Sequence, residues 1–142
     1  MRIVALIALA VAAPAVARAE PPRVRVALDA PEVDAAAKAR HADAMRDALL
    51  PAAPAEQRLD VAIARLDVDV VGDNVEVCER VRVVVSDARG HMLAIVSAGA
   101  TVRVPRRQFR ANRLDALRGE ALADAARRLA DSLRTRRAPP TS

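Results

Sequence analysis

Few residues of this chain have the types and spacing that chemistry needs, and Glu79 is the one that stands apart. It interrupts the odd-numbered series Val75, Val77, Val81, Val83 and Val85, which strand alternation would place on a single face. An inward carboxylate there loses solvation, so its pKa rises and it can exchange a proton near neutrality. A plainer explanation is an acid lying beyond the cover of the core, paired with an arginine or guarding against wrong strand pairing. No second group of the kind proton transfer needs is evident beside it.

The other reactive types are sparse. The chain has one cysteine and two histidines, Cys78, His41 and His91, with no H-x-x-x-H or C-x-x-C spacing. No metal centre is therefore expected. His41, at the edge of an apolar helical face, reads as a packing residue. No G-x-S-x-G is present, and neither Ser86 nor Ser97 has a histidine–acid pattern around it; Ser86 reads as a turn residue. The four glycines form no phosphate loop, and no cofactor is expected. A hydrolase-like enzyme using Glu79 or a Ser–His pair is the alternative that these residues leave open.

Two groups of residues have the character of binding surfaces. Arg103, Arg106, Arg107, Arg110 and Arg113 flank Phe109, a grouping suited to phosphate or carboxylate groups, with the arginines of the last helix as candidate neighbours. On the far face of the same strands, Val84, Leu93 and Ile95 would cluster outside the core and could meet a partner. A single aromatic is too little for a base-stacking platform, so no nucleic acid is expected.

The elements that would position these groups follow from periodicity. Residues 23–28 alternate as a half-buried strand. Asp29-Ala30-Pro31 is expected to open a helix with proline at its first position, and Ala37, His41, Ala44, Met45, Ala48 and Leu49 then share one face. Pro51-Ala-Ala-Pro54 ends it as a linker. Residues 58–104 hold three strand patterns joined by Gly72-Asp73-Asn74 and Asp87-Ala88-Arg89-Gly90. If 70 faces 75, the apolar phase of the first strand matches that of the second only with one extra residue at Ala64-Arg65, a β-bulge that restores 63 opposite 81 and 61 opposite 83. If 86 faces 91, then Met92, Ala94, Val96, Ala98, Ala100 and Val102 join the same face. The rows Val61–Val83–Ala94 and Ile63–Val81–Val96 follow, with Glu79 between Leu66 and Ala98, Val84 beside Leu93, and Arg82 beside Ile95. The last helix is expected from an Asn112 N-cap with Asp115 three residues on, its apolar face running from Leu114 and Leu117 to Leu133. The order β-α-β-β-β-α predicts a two-layer α+β sandwich, a four-stranded mixed sheet with both helices on one face.

The layout, with residues 81–96 (VRVVVSDARGHMLAIV) followed by the helix at 116–133, resembles small exported domains of the type found at the amino terminus of the TolB translocation protein and in curli-assembly lipoproteins. That resemblance implies a noncatalytic envelope role in docking, assembly or transport.

Compartment and charge agree with it. Residues 1–19 carry Arg2, an apolar run at 3–13, Pro14 and the small-residue site Ala17-Arg18-Ala19, the order of a cleavable secretory signal. Pro14 ends the run well short of the ~20 residues that a spanning helix needs. Residues 20–137 are expected to form one α+β domain and 138–142 a disordered tail. No membrane-spanning segment is expected after cleavage, and the destination is periplasmic or extracellular. Residues 20–100 hold 10 basic and 14 acidic side chains, whereas 101–142 hold 11 and 4. The net excess of positive charge thus lies in the last third, and an envelope protein or an anionic envelope component is the expected partner. A lone cysteine excludes a disulfide within the chain. The function this supports is a noncatalytic exported binding or assembly-accessory domain, with a purely structural subunit of an envelope complex as a further alternative.

Overall fold

The computed structural model describes residues 23–137; the expected signal at 1–19 and tail at 138–142 lie outside them. The elements run β1 (Val24–Leu28), α1 (Ala35–Leu49), β2 (Gln57–Val71), β3 (Asn74–Asp87), β4 (Met92–Pro105) and α2 (Leu114–Arg137). The four strands form one sheet in the order β1-β2-β3-β4, with β1 parallel to β2 and the other pairs antiparallel. This is the expected α+β fold with a mixed sheet.

The β2–β3 register is the one the apolar phase predicts. Val70 faces Val75, Leu66 faces Glu79 and Ile63 faces Val81, with an irregularity between Ile63 and Arg65 that leaves Ala64 as the extra residue. Both strands bury one face, so any odd slip would turn their valines to water. Gly72, at φ +58, takes the first central position of the two-residue turn, as a II′ hairpin requires.

The β3–β4 register departs from expectation by two residues. Asp87 closes a wider loop: its Oδ1 accepts from Arg89 N at 2.8 Å and His91 N at 2.9 Å, while its own N–H donates to the His91 carbonyl at 2.9 Å. Ser86 then faces Met92 instead of His91, and Val85 faces Ala94, which makes Leu93 a bulged residue. The rows become Val61–Val83–Val96 and Ile63–Val81–Ala98, Glu79 lies beside Ala100, and Val84 lies beside Ile95 rather than Leu93. Because the displacement is even, Val96 and Ala100 still point inward and are buried. Met92, past the bulge, is 63% exposed instead of joining the core.

Both helix starts also differ. Pro31 belongs to a turn closed by Val33 N to Ala30 O at 3.1 Å, where proline suits the second position. Asp34 is the N-cap of α1, its Oδ1 accepting from Ala37 N at 2.8 Å. Asn112 lies inside a 3₁₀ turn, Ala111–Arg113, that precedes α2. The Pro51–Pro54 stretch is more than a linker, since it buries Ala52 and Ala53 in the core.

The core lies between the sheet and α2, with α1 closing the β1 side. Leu59, Val61, Ile63, Val81 and Val83 meet Ala121, Leu122, Ala125, Leu129 and Leu133. Alanines at the contact let helix and sheet approach closely, which suits a core without aromatics. On α1, Ala37, His41, Met45 and Leu49 are buried, while Ala44 and Ala48 of the expected face are exposed. Two side chains tie α1 to α2: Asp115 meets His41 Nε2 at 2.9 Å and accepts from Arg40 at 3.1 Å. Those bonds, that of His41 first, hold the Asp115 carboxyl below its ordinary value.

Candidate functional site

Glu79 is where alternation puts it, on the helix-facing side and only 2% exposed. Neither of its oxygens has a hydrogen-bond partner among the described residues. Burial pushes its pKa from the ordinary 4.5 to about 8; the positive charge of Arg118 opposes that rise, and Asp67 and Glu32 add to it. Arg118 is itself buried, with an Nε that has no partner among the described residues, and its contact with Glu32 is a long 3.9 Å. Sequence reasoning passed over Arg118, although its position next to Leu117, three residues before Ala121, marks an inward helical place.

A cleft of about 420 Å³ is lined by Asp67, Cys78, Glu79, Arg80, Gly99, Ala100, Thr101 and Arg128. Alternation puts Cys78, Arg80, Gly99 and Thr101 on the outer face and the Glu79 side chain on the other, and the carboxylate oxygens have no contact with solvent. The Glu79 oxygens themselves are thus not exposed in this cleft. Cys78, half-buried, sits 3.4 Å from the Thr101 hydroxyl.

The other reactive types are absorbed by structure. His91 Nδ1 lies 3.1 Å from Asp87 Oδ2 in the second turn. The hydrogen bonds that Asp87 receives, the His91 backbone first, hold its carboxyl below the usual range. Ser86 is buried at the bulge. Among the described residues no group of three His, Cys, Asp or Glu side chains could hold a metal.

The arginines expected as one patch take different roles. Arg103, on the outer face of β4, donates through Nε to Glu76 at 2.7 Å and is neutralised there. Arg110 donates to the carbonyls of Arg107 and Phe109 at 3.0 and 2.9 Å, which stiffens its own connector. Arg106, Arg107 and Arg113 are exposed and hold no side-chain partner among the described residues. Phe109 is half-buried between them. The arginines of α2 do not join: Arg127 and Arg128 pair with Asp124, Arg134 pairs with Asp131, and Arg136 lies beside Leu93 at the opposite end of the sheet.

The apolar cluster is rearranged by the bulge. Val84 and Ile95 remain neighbours, the first half-buried and the second 49% exposed. Leu93, 54% exposed, turns toward Val85, Ala94 and Leu133 and lines a cavity of about 260 Å³ with Pro54, Gln57 and Arg136. Together with Met92, these side chains wrap the edge strand of the sheet.

This architecture has counterparts among solved structures. A candidate lipoprotein from Caulobacter crescentus matches 82% of this chain and 93% of its own at 18% identity and a TM-score of 0.55. The minor lipoprotein of Acinetobacter baumannii matches over 82% and 94% at 11% identity, also with a TM-score of 0.55. A Xanthomonas campestris protein of the DUF330 family matches over 68% and 63% at 14% identity and 0.53. The fold is shared with bacterial lipoproteins. No protein-family model matches the chain, and no curated protein does. The lipoprotein side of the expected resemblance is thus supported at the level of fold, while nothing in these likenesses is particular to TolB or to curli assembly. Among the described residues, no helix is long and apolar enough to cross a membrane.

Proposed function

We propose that the chain is a noncatalytic, exported accessory domain of the bacterial envelope, periplasmic or extracellular, that binds another envelope protein along the edge of β4. The observation that carries this reading is the exposure of Met92, Leu93 and Ile95, at 63%, 54% and 49%, on an edge strand. Edge strands are normally blunted with charge or proline. An apolar edge left open suits a partner that adds a strand or a packed surface. The secretory pattern at residues 1–19 and the fold shared with lipoproteins support the envelope as its setting.

The competing reading is acid–base chemistry at Glu79, favoured by a carboxyl that titrates at about 8. Its oxygens lie out of reach of solvent, which weighs for the binding reading. Affinity capture from envelope extract separates the two. The wild type is expected to retain one discrete protein, and the Leu93→Ser/Ile95→Ser variant to lose it while Glu79→Gln keeps it. Undiminished capture by the serine variant removes the edge surface, and loss through Glu79→Gln alone revives the buried acid.

A further inference from the structure

The opposite end of the sheet carries a second unexplained surface, independent of the β4 edge. β1 pairs with β2 only over Leu59–Ile63, so beyond the bulge β2 runs on without that neighbour. Its last valines are uncovered: Val68 is 37%, Val70 60% and Val71 52% exposed. Val71 and Asn74 close the hairpin tip, and Asn74 faces Pro105 at the end of β4. The connector that follows is fastened to this tip, because Arg106 N donates to the Asp73 carbonyl at 2.7 Å. The tip that carries the two valines is thus tied to the connector that carries Arg106 and Arg107, whose side chains have no partner among the described residues. Between tip and connector lies a cleft of about 610 Å³ lined by Asp73, Asn74, Pro105, Arg106 and Arg107.

We infer that this end of the molecule docks on an anionic lipid surface, with Val70 and Val71 entering the interfacial layer and Arg106 and Arg107 meeting headgroup phosphates. An anionic polysaccharide or soluble phosphate would account for the arginines but leave the valines unexplained. A protein partner would not need bare guanidinium groups behind an apolar tip. The pairing of apolar tip and flanking cations is what peripheral binding requires, since burial of apolar area and attraction to anionic lipid add. The local balance favours it. The connector carries Arg106, Arg107, Arg110 and Arg113 and the hairpin tip Asp69 and Asp73, while Glu76 is already matched by Arg103. Arg110 braces the connector through its own carbonyls and keeps Phe109 and the free arginines in place.

Flotation of the protein, purified after export, with phosphatidylglycerol–phosphatidylcholine vesicles tests the inference. The wild type is expected to float with these and not with pure phosphatidylcholine. Removal of each arginine should weaken partition about fivefold, so Arg106→Ala/Arg107→Ala should lose flotation, and raised salt should weaken it for the wild type. Val70→Ser/Val71→Ser should lose it too, while Leu93→Ser/Ile95→Ser should float normally. No flotation of the wild type overturns the inference. So does flotation that survives the valine changes, or that millimolar inorganic phosphate abolishes, since either points to recognition of phosphate without a lipid surface.

Discussion

At the second-turn end of the sheet, Leu59, Val83 and Leu129 are wholly buried between strands and helices, whereas at the hairpin tip Val68 and Val70 share their face and stay 37% and 60% exposed. The valine alternation runs unbroken in phase from one end to the other once the bulge at Ala64 is counted. Alternation therefore fixes which way a side chain points, and the cover of its own strand decides whether it becomes core: Val77 and Val75, directly opposite on β3, are buried, while this end of β2 has no β1 beside it. β1 stops at Leu28, opposite Ile63, and the bulge follows at once. Glu79 lies on the inner face of β3, whose Val77 and Val75 nearer the tip stay buried, so the uncovered side chains belong to β2.

The contrast is broken or upheld most strongly by truncation at the two ends. Leu129→Ala, at a position with no exposure, is expected to cost about 3 kcal/mol of unfolding free energy, and Val70→Ser to fall within about 0.5 kcal/mol, both read from urea unfolding. A comparable loss at Val70 would mean that the tip belongs to the core.

The buried acid of β3 titrates. The folded protein holds the Glu79 proton up to about 8, while the unfolded chain releases it near 4.5. Between those values the unfolded state binds fewer protons, so stability falls as pH rises from about 4.5 to about 8 and is level above that. The expected loss is about 5 kcal/mol, and Glu79→Gln should abolish that decline and be the more stable form at pH 8.5. Parallel pH profiles for the two proteins would mean that Glu79 is charged and solvated.

Smaller effects sharpen the helix-covered end. Asp115→Ala leaves the buried His41 without its partner and should cost about 1–2 kcal/mol. Gly119 sits inside α2, and a Cβ there would meet His41 Cε1 at 3.5 Å, an ordinary contact. Gly119→Ala should therefore raise stability by about 0.5–1 kcal/mol. A loss would show that the two helices pack closer than described.

Much of this architecture is legible in the residues, and the exceptions share a cause. The bulge and the pairing of Ile63 with Val81 follow from apolar phase alone, because burial of one face penalises any odd slip. The inward place of Glu79 follows in the same way. Phase is blind to an even slip, and the side chain of Asp87, by holding a wider loop, displaced β4 by two residues. That shift brings Arg103 beside Glu76 and parts Leu93 from Val84, so both candidate surfaces were altered by one turn. Pro31 and Asn112 were read as helix starts because both residue types also suit turns, and here they serve turns. Nor does local sequence show that Arg103 is taken, since it meets Glu76 through a strand pairing the chain must first fold to make, whereas the pairs of Asp124 with Arg127 and Arg128 lie at helical spacing.

The claim that matters most is that the apolar edge of β4 is a contact surface. A photo-crosslinking residue placed at Ile95 in the exporting cell addresses it directly, with the same residue at the exposed Ala123 of α2 as reference. A single discrete protein adduct at Ile95, absent at Ala123, is the predicted result. No adduct at either position, or the same products at both, would contradict it.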